Sequence, residues 1–278
     1  MTTDHTPPAR GTSRLAITSL TALLALVLGG CATGDFVRAA HVSLDRAARV
    51  EPTSAFFGPI LARAKGEPAP PPPSWQARQH YLAVVFNLER LPPEAENTLR
   101  RNGTLGDAFV LKTLAQWRIG RIDDARASAL RARASGQEAI DAQHRALFRA
   151  FEGVLKLHAA YDAVAEGKPL QDVETIVSGE NGVWRILASA RTELTRGDPL
   201  QRELILARLA AFKVLRDARR SRPESETTSS EDWRRLQAEA RIELADLAAL
   251  PTDRPTSHAA VVRQWEALCG LGSIPSTS

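Results

Sequence analysis

The chain has 278 residues and a formal net charge of +4, and acidic and basic side chains alternate through much of its length. This mild balance indicates a solvated helical surface and argues against the strongly basic face of a nucleic-acid-binding protein. Aromatic residues make up only 5% of the chain. Because Ala, Leu and Arg dominate and strand-like runs are scarce, the composition predicts a nearly all-helical fold.

The first 30 residues carry three features in the order of an export signal. Arg10 and Arg14 supply positive charge, residues 15–28 form an apolar run, and small residues precede Cys31. The run is shorter than the roughly 20 apolar residues that a membrane-spanning helix needs, which argues against an ordinary transmembrane anchor. We therefore predict that residues 1–30 are a signal peptide.

The segment Leu28-Gly29-Gly30-Cys31 resembles the lipobox of bacterial lipoproteins. The resemblance implies that cleavage occurs before Cys31, that this residue carries lipid, and that its acyl chains hold the mature chain to a membrane. Ala32 stands where an Asp retains lipoproteins in the inner membrane of Gram-negative cells. The expected location is therefore the outer membrane, on its periplasmic side.

Residues 35–50 have apolar side chains at helical spacing and are predicted to form the first helix. Residues 67–73 read Glu-Pro-Ala-Pro-Pro-Pro-Pro, a composition that favours an extended polyproline conformation. This run is either a stiff connector between helices or a ligand for the groove of a partner. It divides an N-terminal segment, residues 31–73, from a main helical domain, residues 74–270. A disordered tail is predicted for residues 271–278.

Apolar periodicity, capping residues and glycine or proline breaks predict the remaining helices. They span residues 75–91, 94–101, 107–119, 123–134, 137–166, 169–177, 183–195, 199–219, 229–250 and 257–268. Ser74, Asp198 and Ser257 are predicted N-caps of three of them. Short helices joined by tight turns predict an all-α array of antiparallel helix pairs, which is either a repeat solenoid or an irregular helical bundle.

The predicted hairpin at residues 107–134 has small residues where its two helices meet, and small side chains let helices approach closely. Its packing positions are Gly120, Ile122, Ala125, Ala129 and Ala132. This spacing resembles the turn of a tetratricopeptide repeat, although Thr113 stands where that family usually has Gly or Ala. A fainter repeat relates residues 167–171 to residues 197–201. The resemblance implies a degenerate repeat array whose concave face binds protein partners.

The sequence lacks the motifs of common catalytic and metal sites. No histidine pair has the His-Glu-x-x-His spacing of a zinc site, and His144 and His158 should lie about 21 Å apart on one predicted helix. With Cys31 assigned to lipid, Cys269 has no partner in the chain and is predicted to be a buried apolar residue. We therefore predict no catalytic residue, no metal, no cofactor and no nucleic-acid partner.

Five tryptophans are spread along the predicted helices, which is typical of core residues, although one on a concave face would suit a peptide anchor. Two functions fit these features. The favoured one is a periplasmic scaffold or adaptor that recognises a protein partner on its concave face. The alternative is a small-molecule-binding or transport accessory lipoprotein, which predicts a closed, partly apolar cavity lined by converging polar groups.

Replacing the lipidated residue tests the anchor. In the Cys31→Ser chain the protein should move from the membrane fraction to the soluble fraction, because a serine hydroxyl cannot form the thioether. The Cys269→Ser chain is the matched control and should stay with the membranes. Cell fractionation followed by immunoblotting measures both, and a Cys31→Ser chain that stays membrane-bound would show that the anchor lies elsewhere.

Overall fold

The computed structural model describes residues 34–221 and 230–272. The first helix, α1, spans residues 34–50, and a 3-10 turn covers Thr53–Phe56. The later helices are α2 (Gly58–Lys65), α3 (Trp75–Glu89), α4 (Pro93–Arg101), α5 (Leu105–Arg118), α6 (Ile122–Ala134), α7 (Ala142–Ala165), α8 (Leu170–Ser178), α9 (Val183–Arg191), α10 (Pro199–Arg220), α11 (Ser230–Ala248) and α12 (Pro255–Cys269). No strand occurs within the described residues, and the predicted all-α array of helices is confirmed.

Polar side chains begin two of the helices as predicted. Ser74 Oγ accepts a hydrogen bond from the Ala77 amide at the start of α3. The Asp198 carboxylate accepts one from the Leu200 amide at the start of α10, where Pro199 occupies the first turn. Each cap satisfies an amide that the helix itself leaves without a partner.

The prediction that Ser257 caps the last helix is wrong. α12 begins two residues earlier, at Pro255, whose fixed backbone angle suits the first helical position. The Ser257 hydroxyl lies within the first turn, where it donates a hydrogen bond to the Arg254 carbonyl.

The predicted helix over residues 137–166 begins too early, because α7 starts at Ala142. The buried Asp107 carboxylate accepts a hydrogen bond from the Ile140 amide, and the Arg145 guanidinium donates to the Ile140 carbonyl. These bonds satisfy the backbone before α7 without a helix. Ile140, expected on an apolar helix face, is consequently 69% exposed.

α10 is enclosed by its neighbours. It packs against α2, α7, α8, α9, α11 and α12, and every residue from 204 to 212 is buried. A helix that is apolar on nearly all sides is expected in such a position. Arg208 is the one charged residue in that run. Within the part of the chain that the structure describes, no helix has both the length and the apolar character needed to cross a bilayer.

The N-terminal helices share one hydrophobic core with the later ones. The rings of Phe56 and Trp117 lie 4.9 Å apart between their centres, and α2 packs on α10. The Arg63 guanidinium reaches α7, where it donates a hydrogen bond to Asp162. Residues 66–72, which contain most of the proline run, are exposed. They connect α2 to α3, and the helices on both sides of this connector share the same core.

α1 lies alongside α5 and runs in the same direction. His41 Nε2 lies 2.6 Å from the Asp107 carboxylate near the start of α5. Just past the end of α1, the Glu51 carboxylate lies 2.5 Å from the Arg118 guanidinium at the end of α5. The starts of α1 and α5 therefore lie at the same end of the molecule.

The end of α12 packs into the core. Cys269 is fully buried, as predicted, and its Sγ lies 3.6 Å from the Leu209 carbonyl. Burial raises the pKa of this thiol to about 12, so the side chain is neutral and unreactive at ordinary pH. Leu271, which the sequence places in the tail, is 2% exposed. Residues 273–278 lie outside the described residues.

The start of α5 packs so closely on the segment before α7 that position 106 requires glycine. A β-carbon on Gly106 would lie 2.1 Å from the Gln137 carbonyl oxygen. Because backbone would have to move, Gly106→Ala should lower the free energy of unfolding by about 2 kcal/mol. Urea denaturation followed by circular dichroism measures this loss.

Gly197 provides the control, because a β-carbon there meets nothing within 4 Å. Gly197→Ala should change the free energy of unfolding by less than about 0.5 kcal/mol. Equal losses in the two variants would contradict the close packing at Gly106.

Candidate functional site

α9 and α11 both pack on α10, and a cleft lies between them. Its floor is α10, its walls are α9 and α11, and α8 borders one end. Two adjoining compartments of about 510 and 470 Å³ are both lined by Ala188 and Arg208. We call this the α9–α11 cleft, with a Trp233 compartment at one end and an Arg196 compartment at the other. Both volumes lie in the range of ligand-binding clefts.

Polar side chains cross the cleft from wall to wall. Trp184 Nε1 on α9 donates a hydrogen bond to the Glu239 carboxylate on α11 at 2.5 Å. The Arg191 guanidinium at the end of α9 donates to Asp246 at 2.7 Å and to Glu243 at 3.0 Å, both on α11. These bonds hold the two walls at a defined separation while each helix rests on α10.

Arg208 lies in the middle of the floor and is only 8% exposed. Its guanidinium pairs with the buried Glu243 carboxylate and stacks 4.1 Å from the centre of the Trp184 ring. Among the described residues, Arg208 Nε has no hydrogen-bond partner. Burial lowers the pKa of Arg208 to about 10. The side chain is therefore charged at neutral pH and depends on its counter-ion.

An aromatic surface lines the Trp233 compartment. The rings of Trp233 and Phe212 stack nearly parallel with their centres 5.2 Å apart. The Arg219 guanidinium lies 4.8 Å from the centre of the Trp233 ring and forms an ion pair with Glu174 at 2.6 Å. This end of the cleft thus combines the half-buried Trp233 ring, backed by the buried Phe212, with paired charges, and tryptophan and arginine are enriched at protein-binding surfaces.

The cleft carries more guanidinium than carboxylate groups. Six arginines and four carboxylate residues line its two compartments. Arg185 lies in the Trp233 compartment and Arg196 in the Arg196 compartment, and both are exposed. Neither forms an ion pair with another described residue. With Glu243, which pairs with Arg191 and Arg208, counted as well, the arginines exceed the carboxylates by one.

The predicted packing positions of the α5–α6 hairpin lie elsewhere. Gly120 forms the α5–α6 turn with a φ of +82°. Ala125, Ala129 and Ala132 are buried on α6, which packs on α5, while Ile122 is half-buried. The structure brings these five residues together in one hairpin, and none of them lines the α9–α11 cleft.

Other predicted positions fall outside the cleft as well. Cys31 and the lipobox residues 28–30 lie outside the described residues. Trp75, expected in the core, is 77% exposed at the start of α3. Trp184 and Trp233 are the tryptophans that line the cleft.

Sequence reasoning did not single out Arg208. The available signal was one arginine inside residues 204–212, which are otherwise apolar. Because an arginine is almost never fully buried without a partner, such a run points to a buried ion pair. The run does not reveal that the partner is Glu243, which lies 35 residues away.

A second group of titratable side chains lies between α1, α5 and α7. His41 contacts the fully buried Asp107, and the rings of His41 and His144 lie 5.7 Å apart between their centres. The hydrogen bond with Asp107 raises the pKa of His41, while burial lowers the pKa of His144. Within residues 34–221 and 230–272, no three His, Cys, Asp or Glu side chains are arranged to hold a metal ion. The His41–Asp107 contact attaches α1 to α5.

No protein-family model matches the chain, and no curated protein sequence and no solved structure matches it either. Support for a function therefore comes from the geometry of the α9–α11 cleft and from the motif at Cys31. The cleft has the volume, the aromatic surface and the charge of a binding site.

Removing the counter-ion of Arg208 tests the buried pair. Glu243→Gln should lower the free energy of unfolding by about 3 kcal/mol, because the Arg208 charge would stay buried without a carboxylate. Glu180→Gln is the control, since Glu180 is exposed, and should cost less than about 0.5 kcal/mol. Equal stability of the two variants in urea denaturation would contradict the pair.

Proposed function

We propose that the protein is a lipid-anchored periplasmic adaptor that binds a segment of a partner protein in the α9–α11 cleft. Attachment is supported by the lipobox-like segment that ends at Cys31, and an outer-membrane location by Ala32. Partner binding is supported by the cleft and by the resemblance of the α5–α6 hairpin to a repeat family that uses concave surfaces.

The open rim of the cleft carries this proposal. Thr175, Arg185, Thr192 and Arg235 line the two compartments and are exposed. A small-molecule pocket buries most of the surface of its ligand. A cleft with an exposed rim along both compartments instead suits a peptide chain that lies along it.

The length of the cleft supports the same occupant. The floor helix α10 runs from Pro199 past Arg219. At a rise of about 1.5 Å per residue, this part of the helix is about 30 Å long. An extended chain advances about 3.3 Å per residue, so roughly nine residues could lie along the cleft, over the side-chain bonds that join its walls. Ala188 and Arg208 line both compartments, so one bound segment can contact both.

Site-specific photo-crosslinking in intact cells tests the proposal. With the crosslinker at Thr175 or at Thr192, one in each compartment, the full-length protein should capture the same envelope protein. With the crosslinker at Ala127 on α6 or Ala260 on α12, both exposed, that protein should not be captured. Mass spectrometry of the crosslinked products identifies it.

A cleft-filling variant makes the result specific. Ala188→Trp would occupy the space shared by both compartments and should abolish capture from Thr192, whereas Ala127→Trp should leave it unchanged. Capture that is the same from the control positions, or that survives Ala188→Trp, would overturn binding in the cleft. A tightly retained metabolite in the purified protein, with no captured protein, would favour the small-molecule function instead.

A further inference from the structure

We infer that the segment recognised by the α9–α11 cleft is acidic and places two carboxylates on Arg185 and Arg196. This inference rests on the proposed function and adds the chemistry of the partner to it. Most charged side chains of the cleft form ion pairs with one another. Within the described residues, Arg185 and Arg196 are the lining arginines that form no ion pair.

Carboxylates of the cleft are already used within the protein. Glu239 accepts hydrogen bonds from Trp184 and from Arg235. Asp246 is paired with Arg191. A basic segment would have to displace these internal partners to find a carboxylate, which costs the existing bonds.

The guanidiniums exceed the carboxylates that could neutralise them. Arg191 and Arg208 are neutralised by the two carboxylates of Glu243 and Asp246. Arg185 and Arg196 have no ion pair within the described part of the chain, and both side chains are exposed at the rim. An acidic segment can therefore pair with them without breaking a bond that the protein already makes.

The positions of the two arginines suit one chain with separated carboxylates. Arg185 lies in the first turn of α9, and Arg196 follows the end of that helix by five residues. They occupy opposite compartments, with Ala188 and Arg208 between them. Arg185 and Arg191 are about 9 Å apart along the helix and Arg196 follows the end of that helix, so two separated carboxylates match Arg185 and Arg196 better than one.

The positive lining also guides an acidic chain toward the cleft. A concave surface lined by one sign of charge concentrates its field and attracts the opposite charge. Because Glu243 neutralises Arg208, this field comes from the exposed Arg185 and Arg196. Trp233 supplies an apolar face beside these charges, so acidic and apolar residues in alternation would match the lining.

Short fluorescein-labelled peptides measure this preference in fluorescence anisotropy with the full mature chain. A peptide of alternating Glu and Leu should bind about tenfold more tightly than one of alternating Gln and Leu. A peptide of alternating Lys and Leu should bind more weakly than either. Added salt should weaken the acidic peptide most, because it screens exposed ion pairs.

Two double variants locate the effect. In Arg185→Gln with Arg196→Gln, the preference for the acidic peptide should fall to less than about threefold. Arg78→Gln with Arg263→Gln removes the same charge from exposed positions on α3 and α12 and should leave the preference unchanged. Circular dichroism checks that both variants are folded.

Several outcomes would overturn the inference. They are equal binding of the acidic and neutral peptides, no binding of the acidic peptide, or an equal loss in both double variants. Because crosslinking from Thr175 and Thr192 does not depend on peptide charge, the two results are separable. A captured partner with no acidic preference removes only this inference, whereas an acidic preference with no captured partner removes the proposed function.

Discussion

The Arg208 charge is buried on an enclosed helix, and it has to be neutralised inside the protein. An unpaired buried guanidinium costs several kcal/mol, whereas a paired one is tolerated. Glu243 supplies the carboxylate from α11, and Arg191 contacts the same carboxylate from α9. One buried carboxylate thus links α9, α10 and α11, and the packing of the C-terminal half depends on this group of charges.

The cleft is a consequence of that linkage. α9 and α11 are joined above α10 by side chains, as in the Trp184–Glu239 and Arg191–Asp246 bonds. Because these side chains are long, the two helices stay apart and the space between them is not filled by a hydrophobic seam. Apolar residues in place of the buried pair would be expected to stabilise a closed bundle as well or better. The charges are therefore better explained by the open geometry that they maintain than by the stability they add.

Local sequence signals predicted the helices well and the tertiary contacts poorly. Ser74 and Asp198 form their caps because a cap depends only on residues within one turn. The start of α7 was misplaced because Asp107, from a different helix, binds the Ile140 amide, and periodicity carries no information on such a bond. The α9–α11 cleft was missed for the same reason. Its residues come from four helices, and only Arg208, within an apolar run, could have indicated it.

The direction of the helices relates the cleft to the proposed anchor. The start of α1 lies at the same end of the molecule as the start of α5, because His41 contacts Asp107. Asp107 also binds the segment just before α7, and Gln143 at the start of α7 binds Asp198 at the start of α10. The Arg196 compartment therefore lies at the end of the molecule where α1 begins. The first residue of α1 is residue 34, three residues after Cys31. Under the proposed anchoring on Cys31, this compartment would lie nearer the membrane than the Trp233 compartment, because the floor helix extends from one compartment to the other.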